Sequence, residues 1–481
     1  MRATFAQLLQ ALPQAQWQPH DAAADQVSAI DGVTTDSRAV KPGMLFVALR
    51  GERFDAHDFL AAVQEQGAAA VVVERLVPGL SIPALVVPDA RLALGQLAHY
   101  WRGQFALPLI GVTGSNGKTT VKEMLASILA AAYGEDYLAT RGNFNNDIGV
   151  PLTLFRLQAG QRAAVIELGM NHPGEIAVLS RMAQPSVALV NNAQREHLEF
   201  MSSVAAVADE NGAVLSSLQA DGVAVFPADD EFTARWRELA GARRTLTFGL
   251  TAAADVSATY QTTGFGSALV VAIRSQLSGQ ATANFALQLA AAGEHNVRNA
   301  LAAIACAFGA GIGIESIVAG LEAFAPVNGR LQRKHAACGA LVIDDTYNAN
   351  PDSVRAAIDV LAHSGEHSIL VLGDMGEVGD EGPQFHAEIG AYAQQRGISR
   401  LLGLGALMSH AVAAFNTAGE NKFPAQHFAT IEALNAALAI VVESDTPVLV
   451  KGSRFMQMER VVQQLAGAAS GTTAQNKQGN H

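Results

Sequence analysis

Cysteine is scarce in this chain, with only Cys306 and Cys338 in 481 residues. Two thiols cannot build a disulfide framework, and neither sits at a metal-ligand spacing. Cys306 falls inside an Ala-rich helical pattern and is expected in the core. Long apolar runs are missing as well. No stretch reaches the roughly 18 consecutive apolar residues of a membrane span, so none is expected. The first residues lack a charged segment leading into an apolar core, so no signal peptide is read and the cytoplasm is the expected compartment. Basic residues are outnumbered, with 32 Lys and Arg against 44 Asp and Glu and a formal net charge of −12. A broad basic face for nucleic acid is therefore not expected. An anionic substrate would need a local cationic pocket.

What the chain has is length, apolar residues and glycine. At 481 residues, length alone points to about three domains. Hydrophobic residues make up 49% of the chain, enough for large cores. Strand-like runs at Leu45–Leu49, Ala70–Val73 and Ala84–Val87 alternate with helical patterns near 58–67 and 96–104, which predicts α/β structure. Continuous apolar runs recur near 109–113, 164–168, 187–190 and 222–226, as parallel strands buried on both faces require. Alternation over 245–290 predicts an antiparallel patch, followed by a helix over 295–309. Further runs at 340–344, 368–372 and 447–450 predict a second open parallel sheet. The expectation is an α/β chain of three domains: a smaller N-terminal α/β domain (1–105), a central phosphate-loop domain with a mostly parallel sheet (106–325) and a C-terminal Rossmann-like open sheet (326–465). A Gly, Ser, Thr, Gln and Asn tail, 466–481, is expected to be disordered.

The run Leu109-Ile110-Gly111-Val112-Thr113-Gly114-Ser115-Asn116-Gly117-Lys118-Thr119-Thr120 is the most informative stretch. A strand enters a Gly-rich turn, and a Lys-Thr pair opens a helix. Glycines let backbone N–H groups converge on an anion, and the helix dipole adds to the field. Lys118 would reach the outer phosphates, and the Thr119 hydroxyl would sit on magnesium. The competing reading is a plain strand–turn–helix corner. Val112 stands where the strict P-loop pattern wants glycine, so only the shorter Gly-x-x-Gly-Lys-Thr is present.

Polar residues gather at other strand ends. Glu167 closes one strand and His197 follows another. With Thr119 they would make an oxygen-rich site with one imidazole, suited to magnesium. Asp344-Asp345-Thr346-Tyr347-Asn348-Ala349-Asn350-Pro351 reads both as a polar rim and as a capped turn before a helix. Gly373–Glu377 and Lys451–Arg454 add to the same rim.

These stretches resemble the Mur ligases, the ATP-dependent amide-forming enzymes of peptidoglycan synthesis. The resemblance covers nearly the whole chain. Thr35–Leu49 resembles a uridine-nucleotide domain, and Gly142–Pro151 with Asp344–Pro351 resembles the branch that adds a dipeptide. The resemblance implies ATP and Mg2+ as cofactors, and UDP-N-acetylmuramoyl-tripeptide and D-alanyl-D-alanine as the substrates bound by a monomer. Gly114, Ser115, Asn116, Gly117, Lys118, Thr119 and Thr120 would then hold the ATP phosphates. Asn296 and Asn299 would lie near the nucleotide, and Arg330 would approach the γ-phosphate. Asp345, Tyr347 and Asn348 would close on ATP from the third domain. Thr119, Glu167 and His197 would serve magnesium. Lys118, His197, Arg330 and Asp345 are the catalytic candidates. Ser37, Arg38, Asn145 and Asn146 are the candidates for the nucleotide-sugar. The residues of the acceptor peptide, meso-diaminopimelate or lysine at its third position, stay open.

Two departures from the family pattern stand out. Many relatives carry a lysine, carbamylated in some, where this chain has Asn211; Glu210 is the nearby carboxylate. The run Ala193-Gln194-Arg195-Glu196 replaces a Gly-containing stretch before His197. Two other functions compete with the dipeptide-adding reading. One is a sister ligase adding a single amino acid to a UDP-sugar peptide or a folate. The other is a nucleotide-binding scaffold without amide chemistry.

Overall fold

The computed structural model of the chain describes residues 1–19, 29–274, 283–419 and 423–467. The expected disordered tail lies outside the described residues from 468 onward. The chain forms a mixed α/β structure of three domains, each organised by one sheet. Among the described residues no helix is long and apolar enough to cross a membrane.

The first sheet has five strands in the order Gln16–Gln18, Ala84–Val86, Ala70–Val73, Leu45–Val47 and Val33–Thr34. A pair, Arg2–Thr4 with Ala29–Asp31, stands beside it. The helix Ala90–Arg102 joins this domain to the next. Its N-cap Asp89 accepts from the Leu92 amide, and its buried face carries Leu94 and Leu97. That face packs on the helices Gly149–Leu154 and Glu175–Ala183, so the two domains share one core. The expected helix near 58–67 is a 3-10 turn, Ala56–Phe59, followed by a short α-helix, Leu60–Glu65.

The central sheet has nine strands. From one edge they run Ala283–Leu289, Gly266–Ile273, Val256–Thr263, Arg244–Gly249, Val223–Pro227, Val187–Val190, Leu109–Thr113, Ala163–Glu167 and Tyr137–Ala139. Leu109–Thr113, Ala163–Glu167 and Val187–Val190 are buried along their whole length, as strands covered by helices on both faces must be. Their registers pair Val112 with Glu167 and Thr113 with Val190. The loop after Thr113, the Glu167 carboxylate and the segment after Val190 therefore leave the sheet at one rim. The first strand's connection goes to one side and a later one crosses to the other, the crevice where such sheets bind ligands.

The antiparallel patch is smaller than the alternation predicts. Arg244–Gly249 pairs parallel with Val223–Pro227, and only the strands from Val256 to Leu289 run antiparallel to one another. The helix Glu294–Gly309 covers Arg244–Gly249 and buries Leu246 and Phe248, giving that strand the surroundings of its parallel neighbours. Cys306 is buried in the same helix, and both cysteines are free.

The third sheet has six strands in the order Gln332–His335, Leu341–Asp345, Val448–Lys451, Ile369–Gly373, Arg400–Leu404 and Gln426–Phe428. Only the Gln332–His335 edge is antiparallel. The parallel register sets Asp345 directly beside Lys451 at the strand ends. Asn350 caps the helix Pro351–Ala362 in a reciprocal box with Ser353, and Pro351 opens it where no amide hydrogen is needed.

Candidate active site

Two glycines shape the phosphate loop. Gly114 has φ 133° and Gly117 has φ 83°, which L side chains rarely adopt. A Cβ on Gly114 would stand 2.9 Å from Asn191 Cβ, and one on Gly117 would stand 2.6 Å from Asn191 Nδ2 and run into Asn299 Oδ1. The loop lies this close because amides grip it. Asn116 N donates to Asn192 Oδ1 at 2.8 Å, and Asn191 Nδ2 donates to Asn116 O at 2.7 Å. The chain of amides continues from Asn191 Nδ2 to Asn299 Oδ1 at 2.9 Å and from Asn299 Nδ2 to Asn296 Oδ1 at 3.2 Å. Asn296 and Asn299 thus stand behind Gly117 on the helix Glu294–Gly309. The helix Lys118–Tyr133 begins at Gly117 without a side-chain cap, so its first amides are available to an anion.

Lys118 Nζ donates to Gly114 O at 2.6 Å, Ser115 O at 3.0 Å and Glu196 Oε1 at 2.9 Å. Thr119 Oγ1 donates to Glu167 Oε1 at 3.3 Å and accepts from Arg330 Nη2 at 3.0 Å. Asn145 Nδ2 donates to the same Glu167 oxygen at 2.8 Å. The other oxygen of Glu167 is buried and has no hydrogen-bond partner. A bare carboxylate oxygen beside a threonine hydroxyl and a phosphate cradle fits a magnesium ion that keeps waters and phosphate oxygens. Among the described residues no three His, Cys, Asp or Glu side chains converge on a metal by themselves.

Thr119 and Glu167 stand in direct contact, and His197 stands between Glu377 and Glu196. The His197 ring has Nδ1 at 2.6 Å from Glu377 Oε2, without the alignment of a hydrogen bond, and Nε2 at 3.5 Å from Glu196 Oε1. Burial alone would lower the ring's pKa; the two carboxylates override it and raise it to about 9. Burial likewise opposes ionisation of Glu196, but Lys118 and His197 hold it below the usual carboxylate range. Asn211 is fully buried; its Oδ1 accepts from Thr113 Oγ1 at 2.7 Å and its Nδ2 has no partner. Glu210 is engaged, accepting from the amides of Gly174 and Ile176 at 2.8 Å each. It caps the helix Glu175–Ala183 and does not supply the charge missing at position 211.

The C-terminal domain faces this loop across a cavity of about 310 Å³ lined by both domains. The Arg330 guanidinium lies over the Tyr347 ring at 4.2 Å. Asp345 accepts from Lys451 Nζ at 2.6 Å and from Leu331 N at 3.1 Å. Lys451 Nζ also donates to Asn348 O at 2.8 Å. Asn116 and Asn350 exchange side-chain hydrogen bonds across the domains at 3.2 and 3.0 Å. Arg195 binds Asp352 through Nη2 at 2.6 Å and Glu388 through Nη1 at 2.7 Å. From sequence, Lys451 counts only as part of a polar rim and Arg195 and Glu196 only as a departure from the family pattern; none of them, nor Asn191 or Asn192, is assigned a role there. Each follows or ends an apolar strand, which is the one local signal that marks them.

Thr120 lines the cavity on the first turn of the same helix, and the Ser115 amide is held by Asn192 O at 3.1 Å. The nucleotide-sugar candidates stand apart in role. Ser37 and Arg38 lie in the turn after Val33–Thr34, where Arg38 pairs with Asp36 at 2.8 Å on an exposed face. Asn146 accepts from the Gly149 amide at 2.8 Å and starts the helix Gly149–Leu154. Asn145 sits instead with Glu167.

Fold and site together define a three-domain α/β enzyme with an anion cradle shared between two of its domains. Three family models match: "Mur ligase family, catalytic domain" over residues 29–102, "Mur ligase middle domain" over 112–307 and "Mur ligase, glutamate ligase domain" over 329–454. The UDP-N-acetylmuramoyl-tripeptide–D-alanyl-D-alanine ligase of Escherichia coli K12 is 41% identical over 440 residues, covering 91% of this chain and 94% of that protein. A MurF structure from Acinetobacter baumannii superposes with a TM-score of 0.88 at 37% identity, covering 97% of this chain and 99% of that one. A MurF ligase from Thermotoga maritima in complex with ADP superposes with a TM-score of 0.80 at 26% identity, covering 90% of this chain and 97% of that one. The chain belongs to the Mur ligase family and is an ATP-dependent ligase.

Proposed function

We propose that this chain joins D-alanyl-D-alanine to UDP-N-acetylmuramoyl-tripeptide at the cost of ATP, releasing ADP and phosphate. The observation that carries the reading is the two-domain cradle. A phosphate loop on the central domain faces Arg330, Asp345 and Lys451 across one cavity. The extent and identity of the match to the Escherichia coli ligase supports the choice of substrates.

The tripeptide carboxylate attacks the γ-phosphorus, ADP leaves, and the amine of the dipeptide then displaces phosphate from the acyl phosphate. Carboxylate, triphosphate and leaving phosphate are all anionic. In this reading the Lys118 ammonium, the loop amides and the Arg330 guanidinium offset their repulsion from fixed positions, which is where most of the rate comes from. Thr119 and Glu167 would hold a magnesium ion, whose charge neutralises the phosphates. Thr120, Asn296 and Asn299 line the nucleotide side of the cavity. Asp345, Tyr347 and Asn348 bring the third domain onto ATP. Ser37, Arg38, Asn145 and Asn146 are assigned to the UDP-sugar, with the domains divided near 105 and 325. His197, held charged between two carboxylates, donates rather than removes a proton, and Asp345 is occupied by Lys451. The dipeptide amine therefore has no free base among these two. We infer a monomer, and the need for ATP supports a cytoplasmic location.

Phosphate release with UDP-sugar tripeptide tests the reading. Release that requires D-alanyl-D-alanine is the expected result. Release with a single amino acid instead would make the chain a sister ligase, and release without any amine would leave only a nucleotide-hydrolysing scaffold.

A further inference from the structure

Lys118 has three N–H donors, and all three are engaged. Two serve carbonyls of the loop itself. The third serves Glu196, the only partner outside the loop among the described residues. To bond a phosphate oxygen, Lys118 has to exchange one of these contacts, and the loop carbonyls are part of the cradle's own shape. Glu196 is the partner that can change. It is also an obstacle: one of its oxygens is buried without a hydrogen-bond partner beside the place a triphosphate has to enter. Like charges in a poorly hydrated site repel strongly.

Glu196 cannot withdraw by itself. The residue before it, Arg195, is held by Asp352 and Glu388, and its guanidinium covers the Phe385 ring at 5.2 Å. The residue after it, His197, is held by Glu377. All four of those partners belong to the C-terminal domain. On the other side, Gln194 N donates to Ser115 Oγ at 2.9 Å, and Asn116 Nδ2 donates to Gln194 Oε1 at 2.6 Å. Residues 194–197 therefore form a strap tied at one end to the phosphate loop and at the other to the facing domain.

We propose that Glu196 is a positioning residue of the phosphate site: it holds Lys118 until the arriving nucleotide displaces it, and the strap transmits that displacement to the contacts of the C-terminal domain. The proposal rests on the reading that Lys118 serves nucleotide phosphates. It goes further, because it makes the strap oppose nucleotide binding.

The test is calorimetric titration of the full-length protein with ADP, in EDTA and again in Mg2+. Glu196→Gln removes the charge and keeps the shape. ADP should bind it about tenfold more tightly than the unaltered protein in both buffers, one decade being 1.4 kcal/mol. The KM for ATP should fall in parallel. Unchanged or weaker binding in EDTA overturns the proposal. Tightening that is lost in Mg2+ also overturns it, because Glu196 is then a cation ligand. Arg195→Ala covers the case of a Gln variant that does not fold. It unties the strap without touching the Glu196–Lys118 pair, and it should also tighten ADP; no change overturns the coupling. Lys118→Ala is the separate control. If it binds ADP as the unaltered protein does, the phosphate-loop reading itself fails, whatever the strap variants do.

Discussion

Gly117→Ala is the sharpest test of the cradle. Its φ of 83° lies in the left-handed region, where an alanine costs about 1–2 kcal/mol. The added methyl would also stand 2.6 Å from Asn191 Nδ2 and collide with Asn299 Oδ1, so the amide chain must open. Two of its hydrogen bonds are at risk, from Asn191 Nδ2 to Asn116 O at 2.7 Å and to Asn299 Oδ1 at 2.9 Å. Each is worth roughly 1 kcal/mol net, so with the backbone cost the local loss is about 3–4 kcal/mol. A three-domain chain does not unfold as one unit, so a global midpoint is the wrong readout. Hydrogen exchange in the first turns of Lys118–Tyr133 reports the local loss and should accelerate by a factor of about 30 or more. ADP affinity should fall by at least about tenfold, because the loop amides no longer converge. Unchanged exchange in that helix together with unchanged ADP affinity would refute the claim that glycine is required at this turn.

Three further outcomes follow from the same contacts. Glu167→Gln removes the charge from the buried, unpartnered oxygen, so the Mg2+ concentration for half-maximal activity should rise by about tenfold or more; an unchanged titration makes Glu167 structural. Arg330→Ala loses both the Thr119 contact and the Tyr347 stacking. It should lower kcat by roughly 10²–10³ while circular dichroism stays the same, and a loss confined to KM would exclude a role in the transition state. The His197 ring is raised from 6.5 to about 9 in the folded protein, so its contribution to stability is complete below pH 6.5 and is lost as pH rises through about 9. In EDTA, the difference in amide-exchange protection at Phe200 and Met201, which donate to His197 O, between the unaltered protein and His197→Gln should shrink across that window; a constant difference removes the charge argument.

Much of the fold was legible because parallel strands announce themselves. Ala163–Glu167, Val187–Val190 and Val448–Lys451 are short, apolar and bounded by turn residues, and helices on both faces leave no polar alternation to blur them. Arg244–Gly249 was harder. Its exposed first residue and its threonines mimic alternation, and only the covering helix Glu294–Gly309 makes it a parallel strand. The three-residue strands of the N-terminal domain, such as Gln16–Gln18, are too short for any period to show. The phosphate loop, Glu167 and the Asp345 rim were legible because each lies a few residues from the end of a clear strand. Glu210 shows the limit of that signal. A carboxylate near the right position in sequence was engaged by two helix amides, a fate set by a helix 34 residues away.

What pattern reading cannot supply is the partner across the domains. Asn116 meets Asn350 at a separation of 234 residues, Arg195 meets Glu388 at 193, and Arg330 meets Thr119 at 211. Periodicity says which face of an element is buried, and strand ends say which rim collects polar groups. Neither says which two rims face each other. Here the rule for one sheet, applied twice, still narrows the answer. Each sheet gathers its chemistry at the carboxyl ends of its parallel strands, and a ligand shared between them has to lie where those two ends meet. Docking then decides the pairings. It sets Arg330 over the first turn of the loop helix and Asn350 against Asn116. It also pins residues 195–197 against the third domain, with Glu196 turned back onto Lys118. Residues 1–325, which keep the core shared by the first two domains, would retain the loop and the Glu196–Lys118 pair and lose the contacts of Arg330, Asn350, Asp352 and Glu388. That two-domain piece should therefore bind ADP through the cradle and yet form no amide.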